Sequence, residues 1–299
     1  MTLRIILTFL LPCLALIAGS WWGPGTHIQL TREILGRFRR RKSLNTRQSL
    51  VLHHSRAFFY GNIAADIINF KAYGGFKNHC HNWNIQERLE AQAGDDASRA
   101  FTLGYLCHLA ADIIAHNHFV PYHLVYNFPP RLLGHAYWEA MADSGVSDPE
   151  WHAVDSFKQS RLLHRFDHMV HRAVRRRALS LRSNKWIFNN ILLINCRQSW
   201  RQVIRNVQLG ARKHPLDERF HHACRMASLR MMLAVFYPRR LALLKAHDPR
   251  GKDAILRARR LRRELLRDFG VRSKARDVGK ALAHAAYSRL PSTSPRRVR

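Results

Sequence analysis

The segment that most constrains the fold is residues 103–123, LGYLCHLAADIIAHNHFVPYH, which has a helical pattern and is largely apolar. Such a helix is expected to lie inside the protein, against other elements. It nevertheless carries four histidines and one aspartate. A buried ionisable group is costly unless it is paired, hydrogen bonded or bound to a metal ion. The segment therefore predicts a core helix whose polar side chains have a specific task.

The rest of the chain predicts an all-α fold. Apolar residues recur at three- and four-residue spacing in HIQLTREILGRF, GHAYWEAMADS and RMASLRMMLAVF, and no long alternating pattern indicates a strand. With 299 residues and 46% hydrophobic content, the chain can bury a large core. We predict a multi-helix domain with a basic helical extension at its C-terminal end.

The N-terminus has the pattern of an export signal. Arg4 precedes an apolar run that is short for a membrane span, and the small residues Ala18 and Ser20 predict cleavage before Trp21. An uncleaved signal would instead anchor the protein. We expect a secreted or periplasmic protein. Its predicted parts are a signal peptide at 1–20, a helical domain at 21–215, a basic helical region at 216–285 and a disordered basic tail at 286–299.

The formal net charge of +30 favours anionic partners, such as phospholipid headgroups, nucleic acid or a phosphorylated substrate. The last fifty residues hold sixteen Lys and Arg against four acids. Within them, AILRARRLRRELLRDF places Ile255, Ala258, Leu261, Leu265 and Phe269 on one helical stripe surrounded by arginines. Such a helix either lies on an anionic membrane surface or docks on the core by its leucines.

Four cysteines remain once the signal is removed, namely Cys80, Cys107, Cys196 and Cys224. In an exported protein they would form up to two disulfides or stay as buried thiols. No C-x-x-C pair indicates a zinc knuckle or a redox site.

Histidines and acids recur at a spacing that suits metal ions. His108 and Asp112 are four residues apart, and so are His135 and Glu139, which places each pair on one helix face. Asp66 lies in the apolar segment GNIAADIINF. A metal ion would solve the burial problem for all of these groups at once.

Two choices between neighbouring histidines stay open on spacing alone. His116 shares a face with Asp112 in an unbroken helix, whereas His118 would point away, but Pro121 follows closely enough to end the helix. His79 and His81 both follow Asp66 at a short distance.

These residues resemble the zinc-dependent phospholipase C family, whose superfamily includes the fungal single-strand-specific zinc nucleases. The resemblance rests on WGPGTH, an Asp in a helix, a His about 15 residues later, LCHLAADIIAHNHF read as His-x3-Asp-x5-His, and GHAYWE read as His-x3-Glu. It covers roughly residues 21 to 140, and the family's nine ligand positions occur in order.

The resemblance implies up to three zinc ions and no small organic cofactor. It assigns Asp66, His81, His108 and Asp112 to one zinc, and His118, His135 and Glu139 to a second. Trp22, His27 and a second oxygen of Asp112 would hold the third zinc, so that Asp112 bridges two ions. It thus selects His118 over His116 and His81 over His79. In the family, the processed chain begins at the tryptophan that matches Trp22, whereas the small residues predict cleavage before Trp21. Either cleavage occurs one residue later than predicted, or the third zinc site is built differently.

The implied activity is hydrolysis of a phosphodiester by a zinc-activated water, with Asp66 orienting that water or taking its proton. We expect a phospholipase C that acts on a glycerophospholipid at a membrane surface. One alternative is a single-strand nuclease, which the positive charge suits equally well. Another is a non-catalytic protein in which structural zinc supports binding to an anionic membrane or nucleic acid.

Overall fold

The part of the chain that the structure describes is mainly helical, which confirms the all-α prediction. The computed structural model describes residues 23–68, 75, 79–127, 134–158, 160–187, 216–270 and 272–292, and no strand occurs within these ranges. The α-helices are α1 (Pro24–Arg39), α2 (Thr46–His53), α3 (Ser55–Ala64), α4 (Trp83–Glu90), α5 (Asp96–Ile114), α6 (Val120–Tyr126), α7 (Gly134–Asp143), α8 (Asp148–Lys158), α9 (His164–Ala173), α10 (Leu181–Ile187), α11 (Glu218–Ala234), α12 (Pro238–Leu244), α13 (Lys252–Phe269) and α14 (Arg272–Tyr287).

Helix α5 is the central helix of the fold. It begins at a capping box, in which the Asp95 carboxylate accepts a hydrogen bond from Ser98 N at 2.7 Å and Asp95 N donates to Ser98 Oγ at 3.1 Å. From Ala100 to Ile114 every side chain of α5 is buried. The apolar segment of the sequence is therefore a core helix, as predicted.

Two glycines let α3 and α5 cross with their backbones in contact. A Cβ placed on Gly61 would lie 2.0 Å from the carbonyl oxygen of Phe101, and one placed on Gly104 would lie 2.2 Å from that of Phe58. Because no larger residue fits at either position, the two helices approach more closely than ordinary side chains allow. This approach brings the end of α3 and the residues after it beside the middle of α5.

A five-residue π-helix, Ala115–Phe119, joins α5 to α6. The chain therefore stays helical past Pro121, which occupies the first turn of α6, where its missing N–H group breaks no helical hydrogen bond. Single π turns inside longer helices occur often at functional sites because they redirect side chains.

The C-terminal region packs directly on the central helices. Helix α11 lies against α5, where Ser228 Oγ donates to Ala111 O at 3.4 Å. Helices α13 and α14 pack on α6 and on the π-helix. At this contact Tyr122 OH donates to Asp217 Oδ2 at 2.6 Å and lies 2.9 Å from His284 Nε2. The basic region is thus part of one packed helical assembly.

Helix α13 buries one stripe and exposes the other. Ala254, Ile255, Ala258 and Leu265 are buried, whereas Phe269, at the end of the predicted apolar stripe, is 39% exposed. The exposed face includes Leu256, Arg260, Arg263 and Arg267.

The ends of the chain are only partly described. The predicted signal peptide, residues 1–20, lies outside the described residues, as do residues 293–299 of the predicted tail, while α14 continues to Tyr287. In the described part of the chain, no helix combines the length and the apolar character that crossing a membrane requires. Cys80, Cys107 and Cys224 are buried free thiols, and Cys196 lies outside the described residues.

Candidate metal centre

Five of the predicted ligands converge at one buried place in the fold. The ligand atoms of His27, His108 and Asp112 lie within 4.8 Å of one another, and so do those of Asp66, His81 and His108. These residues come from α1, the turn after α3, the loop before α4, and α5. Their side chains are almost completely buried. The crossing of α3 and α5 supplies the framework for this convergence.

His108 is held by the backbone of α3. Its Nδ1 lies 2.7 Å from Asn62 O, and because a carbonyl oxygen only accepts, Nδ1 carries the proton. In the neutral ring, the lone pair is then on Nε2, which faces the cluster. Burial, with His27 nearby, lowers the pKa of His108 and so favours this neutral form.

His81 Nε2 lies among the other ligand atoms. It is 2.9 Å from His108 Nε2, 3.1 Å from Asp112 Oδ2 and 3.4 Å from Asp66 Oδ1. The loop that carries His81 is fixed by Tyr105, whose OH donates to Cys80 O at 2.6 Å. Two imidazoles and two carboxylates therefore present nitrogen and oxygen atoms to a common point.

The two oxygens of Asp112 face different histidines. Oδ1 lies 3.4 Å from His27 Nε2, and Oδ2 lies 3.2 Å from His108 Nε2. Burial raises the pKa of Asp112, but His108 and His116 outweigh this effect, and the pKa lies well below its usual value. Asp112 is therefore a carboxylate at neutral pH.

His27 tests whether these residues fit a metal ion. Its ring is fully buried and stacks on His108 with centroids 4.0 Å apart. Its Nδ1 has no hydrogen-bond partner, and its Nε2 has only the Asp112 carboxylate at 3.4 Å. A buried imidazole with so few partners is costly, and a bound cation would supply another. Imidazole and carboxylate are also the ligands that zinc takes in proteins. The residues therefore fit zinc.

Asp143 contacts the beginning of α1, the helix that carries His27 in its first turn. Its carboxylate accepts hydrogen bonds from Gly25 N at 3.1 Å, Thr26 N at 2.9 Å and Thr26 Oγ1 at 2.6 Å. Burial raises the pKa of Asp143 to about 6 against the opposing effect of these bonds. Asp143, at the end of α7, therefore caps the N-terminus of α1, because the N-cap residue Gly23 has no side chain that could do so.

Of the two histidines in the π-helix, the structure places His116 beside the predicted ligands. His116 is fully buried, and its Nε2 lies 4.0 Å from Glu139 Oε1. Its ring centroid is 6.2 Å from that of His81. His118 is only partly buried, and its Nδ1 lies 3.0 Å from Tyr287 O in the C-terminal region.

This placement differs from the assignment of His118 to the second zinc. The π-helix begins at Ala115, so His116 nearly keeps the register that His108 and Asp112 have on α5. The wider π turn then directs His118 toward α14.

The remaining predicted ligands are only partly described. Glu139 is buried on α7, and His135 begins the same helix one turn earlier, but its side chain lies outside the described residues. Trp22 also lies outside them. His79 is partly exposed, and its Nδ1 accepts a hydrogen bond from the backbone N–H of His81 at 3.2 Å.

Sequence reasoning missed the groups that support the cluster. The carbonyl of Asn62 has no signature in a sequence, because every residue carries a carbonyl. Asp143 could have been found from the sequence, because it follows Glu139 by four residues and so lies on the same helix face.

Comparison with known proteins gives one match. The model of the family described as zinc-dependent phospholipase C matches residues 26–185, which is more than half of the chain. The match runs from α1 into α10 and so extends beyond residue 140, where the resemblance seen in the sequence ended. No curated protein and no solved structure matches the chain.

Proposed function

Because the chain belongs to the zinc-dependent phospholipase C family, we propose that it hydrolyses a glycerophospholipid to diacylglycerol and a phosphorylated headgroup. The observation that carries the proposal is the buried convergence of His27, Asp66, His81, His108 and Asp112, whose ligand atoms fit zinc. Without a cation, this arrangement leaves His27 Nδ1 buried with no hydrogen-bond partner and Nε2 with only the Asp112 carboxylate at 3.4 Å.

We propose the following ligands. Asp66, His81, His108 and Asp112 hold one zinc, and Asp112 uses its second oxygen together with His27 for another, which Trp22 completes. The second zinc of the family takes Glu139 and His135 of α7, and His116 in place of His118. The support for His116 is the 4.0 Å distance from its Nε2 to Glu139 Oε1.

When bound, zinc supplies Lewis-acid activation of water and stabilises negative charge on phosphate oxygens. The chain's own residues prepare the site for that chemistry. Asn62 O keeps the proton of His108 on Nδ1, so Nε2 stays a lone-pair donor. The Asp66 carboxylate, whose Oδ1 lies 3.4 Å from His81 Nε2, orients the attacking water and receives its proton. Burial excludes bulk water from these groups and strengthens their electrostatic effect.

A substrate comparison tests the proposal. The purified zinc-loaded protein is incubated separately with phosphatidylcholine vesicles and with single-stranded DNA, and a chelator-treated sample serves as the control. We expect diacylglycerol from the vesicles and none after chelation. Turnover of DNA alone would reject the phospholipase and favour the nuclease. Bound zinc without hydrolysis of either substrate or of a chromogenic phosphodiester would identify a non-catalytic zinc protein.

We further propose that the exposed face of α13 contacts the anionic surface of the membrane. Arg260, Arg263 and Arg267 follow one another at helical spacing, and Leu256 on the same face is 50% exposed. Arginines of this kind attract anionic headgroups, while exposed apolar side chains enter the interface.

Vesicle binding tests this surface. The double variant Arg260→Gln/Arg263→Gln should bind vesicles that contain phosphatidylglycerol roughly 30-fold more weakly, at about 1 kcal/mol per arginine. Arg39→Gln/Arg40→Gln removes the same charge from exposed positions at the end of α1 and is the matched control. Equal losses in the two variants would show that net charge, and not the α13 face, governs binding.

We also propose export with removal of residues 1–20 or 1–21. Mass spectrometry of the mature protein tests this directly. A chain that begins at Trp22 would provide the free amino group for the ion near His27, whereas one that begins at Trp21 would require a different ligand there.

A further inference from the structure

A loop in the C-terminal region contacts α4 and the π-helix through consecutive backbone carbonyls. Residues 247–251 lie between α12 and α13, outside the segment that matches the family. His247 O accepts a hydrogen bond from Trp83 Nε1 at 2.9 Å, and Asp248 O accepts one from Asn117 Nδ2 at 2.8 Å. The next carbonyl, Pro249 O, lies 2.5 Å from His116 Nδ1.

Every polar side chain of the π-helix is held in this way. Besides His116 and Asn117, His118 Nδ1 lies 3.0 Å from Tyr287 O at the end of α14. The C-terminal region therefore supplies a carbonyl acceptor to each of three consecutive residues. These three contacts fix the orientation of the polar side chains of the π-helix relative to the C-terminal region.

Gly251 packs closely against His116. It is the residue before α13 and has a φ of +55°, in the left-handed region that favours glycine. A Cβ at this position would lie 2.2 Å from His116 O and 2.5 Å from His116 Cβ. The loop thus touches both the backbone and the ring of His116.

We propose that the loop 247–251 is a positioning element for zinc and that it acts through His116. Because Pro249 O only accepts, it holds the proton of His116 on Nδ1 and keeps the lone pair on Nε2, the atom that lies 4.0 Å from Glu139. The proposal rests on the proposed zinc site, and it makes the C-terminal region a part of that site.

Two glycines at the ends of α13 provide a matched test. Gly251 precedes the helix with a φ of +55°, and Gly270 follows it with a φ of +59°, so alanine strains both positions similarly. A Cβ on Gly270 meets nothing within 4 Å, whereas one on Gly251 collides with His116. The difference between Gly251→Ala and Gly270→Ala therefore isolates the contact with His116 from backbone strain.

Zinc affinity is measured for both variants by competition with a chromophoric chelator. We expect Gly251→Ala to bind one zinc ion 10- to 100-fold more weakly than Gly270→Ala, the usual range for loss of a group that orients a metal-binding histidine. Equal affinities would overturn the proposal. If Gly251→Ala does not fold, the tautomer of His116 in the wild-type protein remains the test.

A second measurement does not need zinc. Long-range ¹H–¹⁵N spectra of the zinc-free protein report the tautomer of His116, which we expect to be Nδ1–H in the wild type and in Gly270→Ala. A wild-type His116 with its proton on Nε2 would overturn the proposal. If the wild type binds no zinc, the proposed function fails by itself, and the tautomer still tests the hydrogen bond to Pro249.

Discussion

Helices α5 and α13 carry ionisable groups under opposite conditions. The polar side chains in the middle of α5, including His108 and Asp112, are completely buried, whereas α13 exposes most of its arginines along one face. In α5 each charged or polar atom needs a specific partner, because burial removes its water. On α13 the solvent provides that partner. One substitution on α5 should therefore have large effects, while the exposed face of α13 should tolerate several.

The largest effect is expected for Asp112→Asn. Asparagine keeps the shape of the side chain but removes the negative charge that faces both His27 and His108. We expect loss of zinc, measured by mass spectrometry of the metal content, and at least about a hundredfold loss of lipid hydrolysis.

Asp167→Asn is the matched control for this variant. Asp167 is equally buried, but its Oδ1 pairs with Lys185 Nζ at 3.2 Å and with Tyr60 OH. We expect this variant to be less stable and to retain its zinc. Full zinc content in Asp112→Asn would contradict the role of α5 in the metal centre.

A smaller effect should separate His116 from His118. We expect His116→Gln to weaken the affinity of one zinc ion about 10- to 100-fold and His118→Gln to change it much less. The reason is the burial of His116 beside Glu139, while His118 faces Tyr287. Chelator competition measures both affinities. A larger loss of zinc affinity in His118→Gln would support His118 as the ligand, as the family spacing predicts.

The crossing of α3 and α5 is open to a stability test. In Gly104→Ala the new Cβ would meet Phe58 O at 2.2 Å, so we expect a decrease of about 1–3 kcal/mol in the free energy of unfolding. Gly36→Ala, inside α1, meets only the end of the Arg40 side chain at 3.6 Å and should raise stability by about 0.5–1 kcal/mol. Urea denaturation compares the two. A stabilising Gly104→Ala would show that the helices do not touch there.

His123 predicts a pH dependence where α6 meets the C-terminal region. Its Nε2 accepts a hydrogen bond from Asp217 N at 3.2 Å, and burial lowers its pKa from 6.5 to about 3. The unfolded chain therefore binds this proton at a higher pH than the folded protein does. Above pH 6.5 this difference in proton binding does not lower the free energy of unfolding. As the pH falls from 6.5 toward 3, the free energy of unfolding decreases by at most about 1.4 kcal/mol per pH unit.

Urea denaturation of the zinc-free protein between pH 7 and 5 measures this slope. We expect a shallower slope for His123→Gln, because glutamine binds no proton in this range. Parallel slopes for the two proteins would mean that His123 is already protonated in the folded state.

The sequence was a good guide to the fold and to the position of the candidate ligands that lie in regular helices. Periodicity predicted the helical architecture, and the four-residue spacing of His108 and Asp112 predicted their shared face. These inferences succeed because an α-helix has a fixed geometry. The assignment of His118 came from family spacing and stays a prediction. The sequence offered no sign of the π-helix that places His116 beside Glu139.

The support around the ligands was also beyond sequence reasoning. Asn62, Cys80 and Pro249 act through carbonyl oxygens, and the side chains at these positions say nothing about that role. The distance along the chain adds to the difficulty, because His116 and Pro249 are 133 residues apart. Only the packed structure brings them into contact.

The use of main-chain acceptors at residues 247–249 has a consequence for how this protein can vary. Evolution can exchange the side chains at these positions without altering an acceptor atom, provided that the backbone keeps its course. An insertion or deletion of one residue would move all three carbonyls out of register together. Residues 247–249 should therefore drift in composition among relatives, while Gly251 and the length of the loop stay fixed.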